Sequence, residues 1–267
     1  MQSLIAIITI VLYMACLVSL VRHVKKQQPK VLPGAFFALM AVTLTSHSAF
    51  LHVSIFRDQM LHLNFFSVSP LIFFVITVIS LATLLKKQPI ENLMLLLFPL
   101  VILGIAFAAW IPAPATKVIT SPKLSVHIVL SIIAYSVITI AALHAVLLAA
   151  QEHALKRHDF TGLFRFFPPL QTMEKLLFQM LATGFAMLTL AIASGFIFLD
   201  DMFAQDLAHK TVLSIIAWFI FAILLYGRHA WGWRGNTATR WTLTGFFILM
   251  LAYFGSKFVL EILLQRV

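Results

Sequence analysis

Long apolar runs separated by short polar turns recur along the whole chain, and their length decides what they are. Each run approaches or exceeds the roughly 20 residues that cross a bilayer's hydrocarbon as a helix. They lie at about Ser3–Val21, Pro33–Phe56, Pro70–Leu85, Glu91–Ile111, Pro122–Ala150, Leu176–Leu199, Lys210–Tyr226 and Trp241–Leu264. The alternating short strands of a membrane β-barrel do not occur in this pattern. Pro33, Pro70 and Pro122 fall at the first turn of their helices, where a missing N–H costs nothing. Ser69 and Ser121 precede two of these prolines as N-cap candidates. Pro99, followed by Gly104, predicts a kink in the fourth span.

Composition agrees with that reading. Hydrophobic residues make up 61% of the 267 positions, charged residues 10%, and the mean hydropathy is +1.00. Those values exclude an ordinary soluble domain. The fold expected is an all-α integral membrane protein, a polytopic bundle of about eight transmembrane helices. No linker or low-complexity segment divides it, so residues 1–267 read as a single transmembrane domain.

The net charge of +10 suggests nucleic acid until the basic residues are placed. Thirteen of the nineteen fall on one side of the predicted membrane, in turns holding Arg22, Lys25, Lys86, Lys156, Arg228 and Arg240 among others. Six fall on the other side or in the span ends near it: Arg57, Lys117, Lys123, Lys210, Lys257 and Arg266. The positive-inside rule puts the thirteen in the cytoplasm and both termini outside, with no polyanionic partner needed. The longest cytoplasmic connection, Gln151–Lys175, carries the run FRFFPPL and reads as a tether or a short interfacial segment. Trp231 and Trp233 beside Arg228 and Arg234 read as interfacial anchors. The one cysteine, Cys16, excludes an intramolecular disulfide and a thiolate metal cluster.

Candidate chemistry is confined to histidine. The chain has no GxSxG, HExxH or P-loop pattern and only nine carboxylates, whereas it has ten histidines. Depth sorts them. Counting from Pro33, His47 lies about 21 Å along the second span, and His52 is near its outer boundary. His127 is about 7 Å below the outer surface on the fifth span, and His144 is about 25 Å further down. His209 begins the seventh span, and Lys257 lies about 24 Å along the eighth with Glu261 one turn later. An outer layer of His47, His52, His127, His209, Lys257 and Glu261 is therefore expected, with His144 outside it. Two imidazoles from different helices satisfy axial ligation of haem iron, and a nearby lysine suits a propionate. The competing reading hydrogen-bonds each histidine across a helix interface, or wets it at the headgroups, and snorkels Lys257 outward beside Glu261.

Four segments carry a family resemblance: SPKLSVHIVLSIIAYSV at 121–137, AHKTVLSIIAW at 208–218, GWRG at 232–235 and LAYFGSKFVLE at 251–261. The chain resembles the cytochrome c assembly family of membrane proteins (the CcsA/CcmC haem-handling group), and more closely its HemX/YpjD-like branch. The resemblance implies a multi-pass protein of the bacterial inner membrane that binds or conveys haem during cytochrome c maturation. It implies that His127 matches the family's first external haem-ligating histidine, and that partners are haem and cytochrome c assembly proteins. The pattern departs at Leu199–Ala208, LDDMFAQDLA, where haem-handling members carry a tryptophan-rich loop; their second external histidine also has no counterpart. Three readings stay open. In the first, haem is held by His127, with His209 or His47 as the second iron ligand and Lys257 near a propionate. In the second, the chain is a HemX-like scaffold or regulator that meets a haem-biosynthesis enzyme without transferring haem. The third is an accessory to an ion carrier using Lys257 and Glu261. The first of them does not make the chain a hydrolase or oxidoreductase with turnover.

Overall fold

A computed structural model describes residues 2–25, 32–57, 60–61, 65–111, 122–157, 167–198 and 208–255. These segments are helical apart from short turns and a two-residue antiparallel pair, Phe56–Arg57 with Met60–Leu61. Eight helices follow one another: α1 Gln2–Lys25, α2 Gly34–Ile55, α3 Phe65–Leu85, α4 Glu91–Trp110, α5 Pro122–Lys156, α6 Leu170–Phe198, α7 Ala208–Trp231 and α8 Asn236–Met250. α1 to α7 are each long and apolar enough to cross a membrane. α8 has 15 residues and runs on into a π-helical turn, Leu251–Gly255. The expected polytopic helical bundle is the fold observed.

Several boundaries move. The third span starts at Phe65 rather than Pro70, which places Pro70 inside α3. A proline there cannot bond the carbonyl four residues back, on Phe66. Ser69 does not cap the helix as expected; its hydroxyl donates to that Phe66 carbonyl at 3.2 Å. Pro33 stands one residue ahead of α2 and its carbonyl accepts from the Phe36 N–H. Ser121 lies outside the described residues. α5 extends to Lys156 and α6 begins at Leu170, so both ends of the expected 151–175 connection are helical. Pro99 sits within α4, which continues through it.

The chain divides into two compact units, residues 1–119 and 120–266. In the first, α1 packs on α2 and α4, and α3 packs on α2 and α4, so the four helices close a ring. Polar pairs set the α1–α2 register. Thr9 bonds Ser46, Tyr13 bonds His47 and Cys16 bonds Thr43, at 2.8, 2.9 and 3.3 Å. Without a hydrophobic force to join helices in lipid, packing and such interhelical hydrogen bonds must do so.

In the second unit α5 packs on α6 and α8, and α7 packs on α6 and α8, closing a second ring. α5 and α6 make its most extensive contact, lined by Ala134, Ile138, Ala141, Ala145, Leu177, Leu181, Leu188 and Ala191. Small side chains let the backbones approach. A Cβ placed on Gly184 would lie 2.7 Å from Ile138 Cγ1, so that crossing requires glycine.

Candidate functional site

His127 is the sixth residue of α5, half-buried against the closing turns of α6. The two helices run antiparallel, which sets the start of α5 opposite Ala191 and Ser194. His127 Nδ1 lies 3.0 Å from the Ala191 carbonyl and 3.1 Å from Ser194 Oγ. A carbonyl only accepts, so Nδ1 carries the proton. Ser194 in turn donates to the Ala191 carbonyl at 2.7 Å and accepts a share of the Nδ1–H. Both hydrogen bonds of the ring among the described residues thus fall on one nitrogen. The tautomer so fixed leaves a lone pair on Nε2. Metal-ligating imidazoles are oriented in this way, by a backbone acceptor on the far nitrogen.

His144 repeats the contact at the opposite end of the same helix pair, with the nitrogens exchanged. Its Nε2 donates to the Met173 carbonyl at 3.1 Å, and its buried Nδ1 has no hydrogen-bond partner among the described residues. A separation of 17 residues puts it about 25 Å from His127 along α5, so the two cannot share a ligand.

The other histidines divide by environment. His209 is exposed, the second residue of α7. Trp218 on α7 donates to Thr189 on α6 at 2.8 Å, and both lie at similar distances from the junction of those helices. α6 and α7 are therefore antiparallel, and His209 stands at the same end of the second unit as His127. His47 belongs to the first unit and is fully buried. Its Nδ1 is bonded to Tyr13, Phe74 meets its ring edge-on at 5.3 Å, and its Nε2 has no hydrogen-bond partner among the described residues. Phe98 packs on Tyr13 from α4. This packed aromatic surround holds the ring as a structural element of the bundle. His52 is exposed in the last turn of α2. Lys257 and Glu261 lie outside the described residues; the π turn that precedes them packs Tyr253 and Phe254 on Tyr135, with ring centroids 6.0 and 5.7 Å apart.

Sequence reasoning missed Ser194 and Tyr13. Their only sequence signal is position, Ser194 among the small residues of AIASG and Tyr13 about one turn from Thr9 and from Cys16 in an apolar run. It read GWRG as a segment of the family resemblance with interfacial anchors, and missed the contacts that hold it. Gly235 adopts a left-handed φ of 56°, and its N–H donates to the buried Glu174 carboxylate on α6 at 2.9 Å. Trp233 stacks between Trp231 and Trp241 at 5.4 and 5.3 Å, and Arg228 bonds its carbonyl while lying over Phe178. Among the described residues no group of three or more His, Cys, Asp or Glu is placed to hold a bare metal ion.

Comparison with known proteins gives the family. A family model described as cytochrome C assembly protein matches residues 37–264. The inner membrane protein YpjD of Escherichia coli K12 is 35% identical over 173 residues, 63% of this chain and 65% of its own length. The cytochrome c biogenesis protein CcsA of Guillardia theta is 27% identical over 164 residues, 55% of this chain and 54% of its own. Protein HemX of Brevibacillus brevis is 26% identical over 144 residues, 52% of each. The chain thus spans a little under two thirds of the YpjD sequence it matches. No solved structure matches it. With seven helices among the described residues long and apolar enough to cross a membrane and a similar inner membrane protein among its relatives, it is a multi-pass protein of the bacterial inner membrane. The match over most of its length makes the chain a member of the cytochrome C assembly protein family.

Proposed function

We propose that this protein binds haem at the His127 end of its second four-helix unit and takes part in cytochrome c assembly. The observation that carries the reading is the His127 ring. Its Nδ1–H is committed to the Ala191 carbonyl and Ser194 hydroxyl, and its Nε2 lone pair remains for iron. His209, exposed at the same end of that unit, is the second ligand in this reading, and Lys257 stands near a propionate. His47 has its ring packed in aromatic side chains and takes no iron in it. Bound haem is the cargo that such a protein keeps in the membrane and presents to assembly partners. The family match and a relative named for cytochrome c biogenesis support that role.

The test is an absorption spectrum of detergent-purified protein made with abundant haem. A Soret band is expected in the wild type and in His144→Ala, and its loss in His127→Ala. Two imidazoles give a low-spin spectrum; one imidazole with an open position gives a mixed one. Absence of a Soret band in the wild type overturns the reading. The alternative is then a scaffold that meets a haem-pathway enzyme. The turn held by Glu174, Arg228 and the stacked tryptophans favours it, because it presents a fixed basic surface.

A further inference from the structure

A groove on the first helix lies apart from everything above. It runs along one face of α1 beside Pro33 and encloses about 560 Å³. Val11, Met14, Ala15 and Val18 form its apolar floor, which meets Ser19, Arg22 and His23 at one end. These four floor residues are exposed, so this face of α1 turns away from its own bundle.

The groove's length and polarity together identify what fits it. Val11 is near the midpoint of the helix Gln2–Lys25. From there to Arg22 the helix rises about 16 Å, and one leaflet of a roughly 30 Å hydrocarbon core is about 15 Å deep. The apolar floor therefore covers one leaflet, and the cation stands where that leaflet's headgroups begin. Lys25, exposed one turn further on, adds a second positive charge. Glu91 on α4 interacts with His23. Among the described residues Arg22 has no carboxylate partner, the one ion pair there being Lys156 with Glu152.

We propose that this groove is a binding site for an anionic phospholipid, with one acyl chain along Val11–Val18 and its phosphate at Arg22. A zwitterionic lipid of the same chain length fills the floor equally well but brings no net charge to the cation. The site is independent of haem.

Native mass spectrometry of the full-length protein tests this, with phosphatidylglycerol and phosphatidylcholine of identical chains in competition. The wild type should retain phosphatidylglycerol preferentially. Arg22→Gln should weaken that binding roughly fivefold, the effect of one basic residue at an anionic surface, and Arg22→Lys should largely restore it. Ala15→Phe, which fills the exposed floor without touching the core, should remove it. Lys87→Gln, exposed outside the groove, should leave it unchanged. Equal retention of both lipids by the wild type, or an Arg22→Gln protein that binds as the wild type does, overturns the proposal.

Discussion

At the scale of single residues, the histidines differ by which nitrogen the fold occupies. His127 presents Nε2 and His144 presents Nδ1, although each bonds a carbonyl of the same neighbouring helix. Ser194 is what distinguishes the first site, since its hydroxyl touches both His127 and the carbonyl His127 uses. Ser194→Ala should keep the tautomer, because Ala191 still accepts, yet loosen the ring. Second-sphere losses of this kind weaken metal affinity by about tenfold or more, so haem titration should show at least that drop. An unchanged titration would remove Ser194 from the site. Tyr13 admits a stability test. Tyr13→Phe strips the His47 Nδ1 of its hydrogen bond in a fully buried place, a loss of about 1–3 kcal/mol, read as a lower thermal midpoint in detergent. An unaltered midpoint would mean that this bond is not made. The place of His127 near the start of α5 was legible in the sequence, because depth along an apolar helix follows from counting residues. Ser194 and Tyr13 were not legible, because a hydroxyl's partner depends on the register of two helices, which no local pattern encodes.

At the scale of elements, the helices were legible and their ends were not. Hydrocarbon demands runs of apolar residues, so the existence of each span is written in composition. The turns that prolong a helix beyond the bilayer are under no such demand. Gln171, Glu174 and Lys175 therefore looked like loop, yet belong to α6. Pro70 shows the converse error, since a proline inside a membrane helix is tolerated when a serine takes the carbonyl it leaves free. The α5–α6 crossing gives a sharper test. Gly184→Val places atoms where Ile138 already lies, 2.7 Å from the new Cβ. Such overpacking costs about 1–3 kcal/mol. The melting temperature of Gly184→Val should fall, and Ile138→Ala in the same chain should recover part of it. If the double variant melts no higher than the single one, the crossing is looser than drawn.

At the scale of the molecule, charge asymmetry predicts orientation. Reporter fusions at Gln28, His158 and Gly235 should give cytoplasmic signals, and fusions at Thr116 and Gln205 external ones; a cytoplasmic signal at Thr116 would invert the arrangement. The grouping of helices into two rings was not legible in the sequence. Side chains that face lipid and side chains that face another helix are equally apolar, so hydropathy counts spans without saying which of them meet. Each ring closes on consecutive helices, α1 to α4 and α5 to α8, and none of these packing partners has to be awaited from the far end of the chain. That has a consequence for biogenesis. By the time a ribosome has delivered α4 to the translocon, every neighbour in the first ring is already in the bilayer. A nascent chain arrested after residue 119 should then resist membrane proteases, whereas one arrested between α2 and α3 should be degraded.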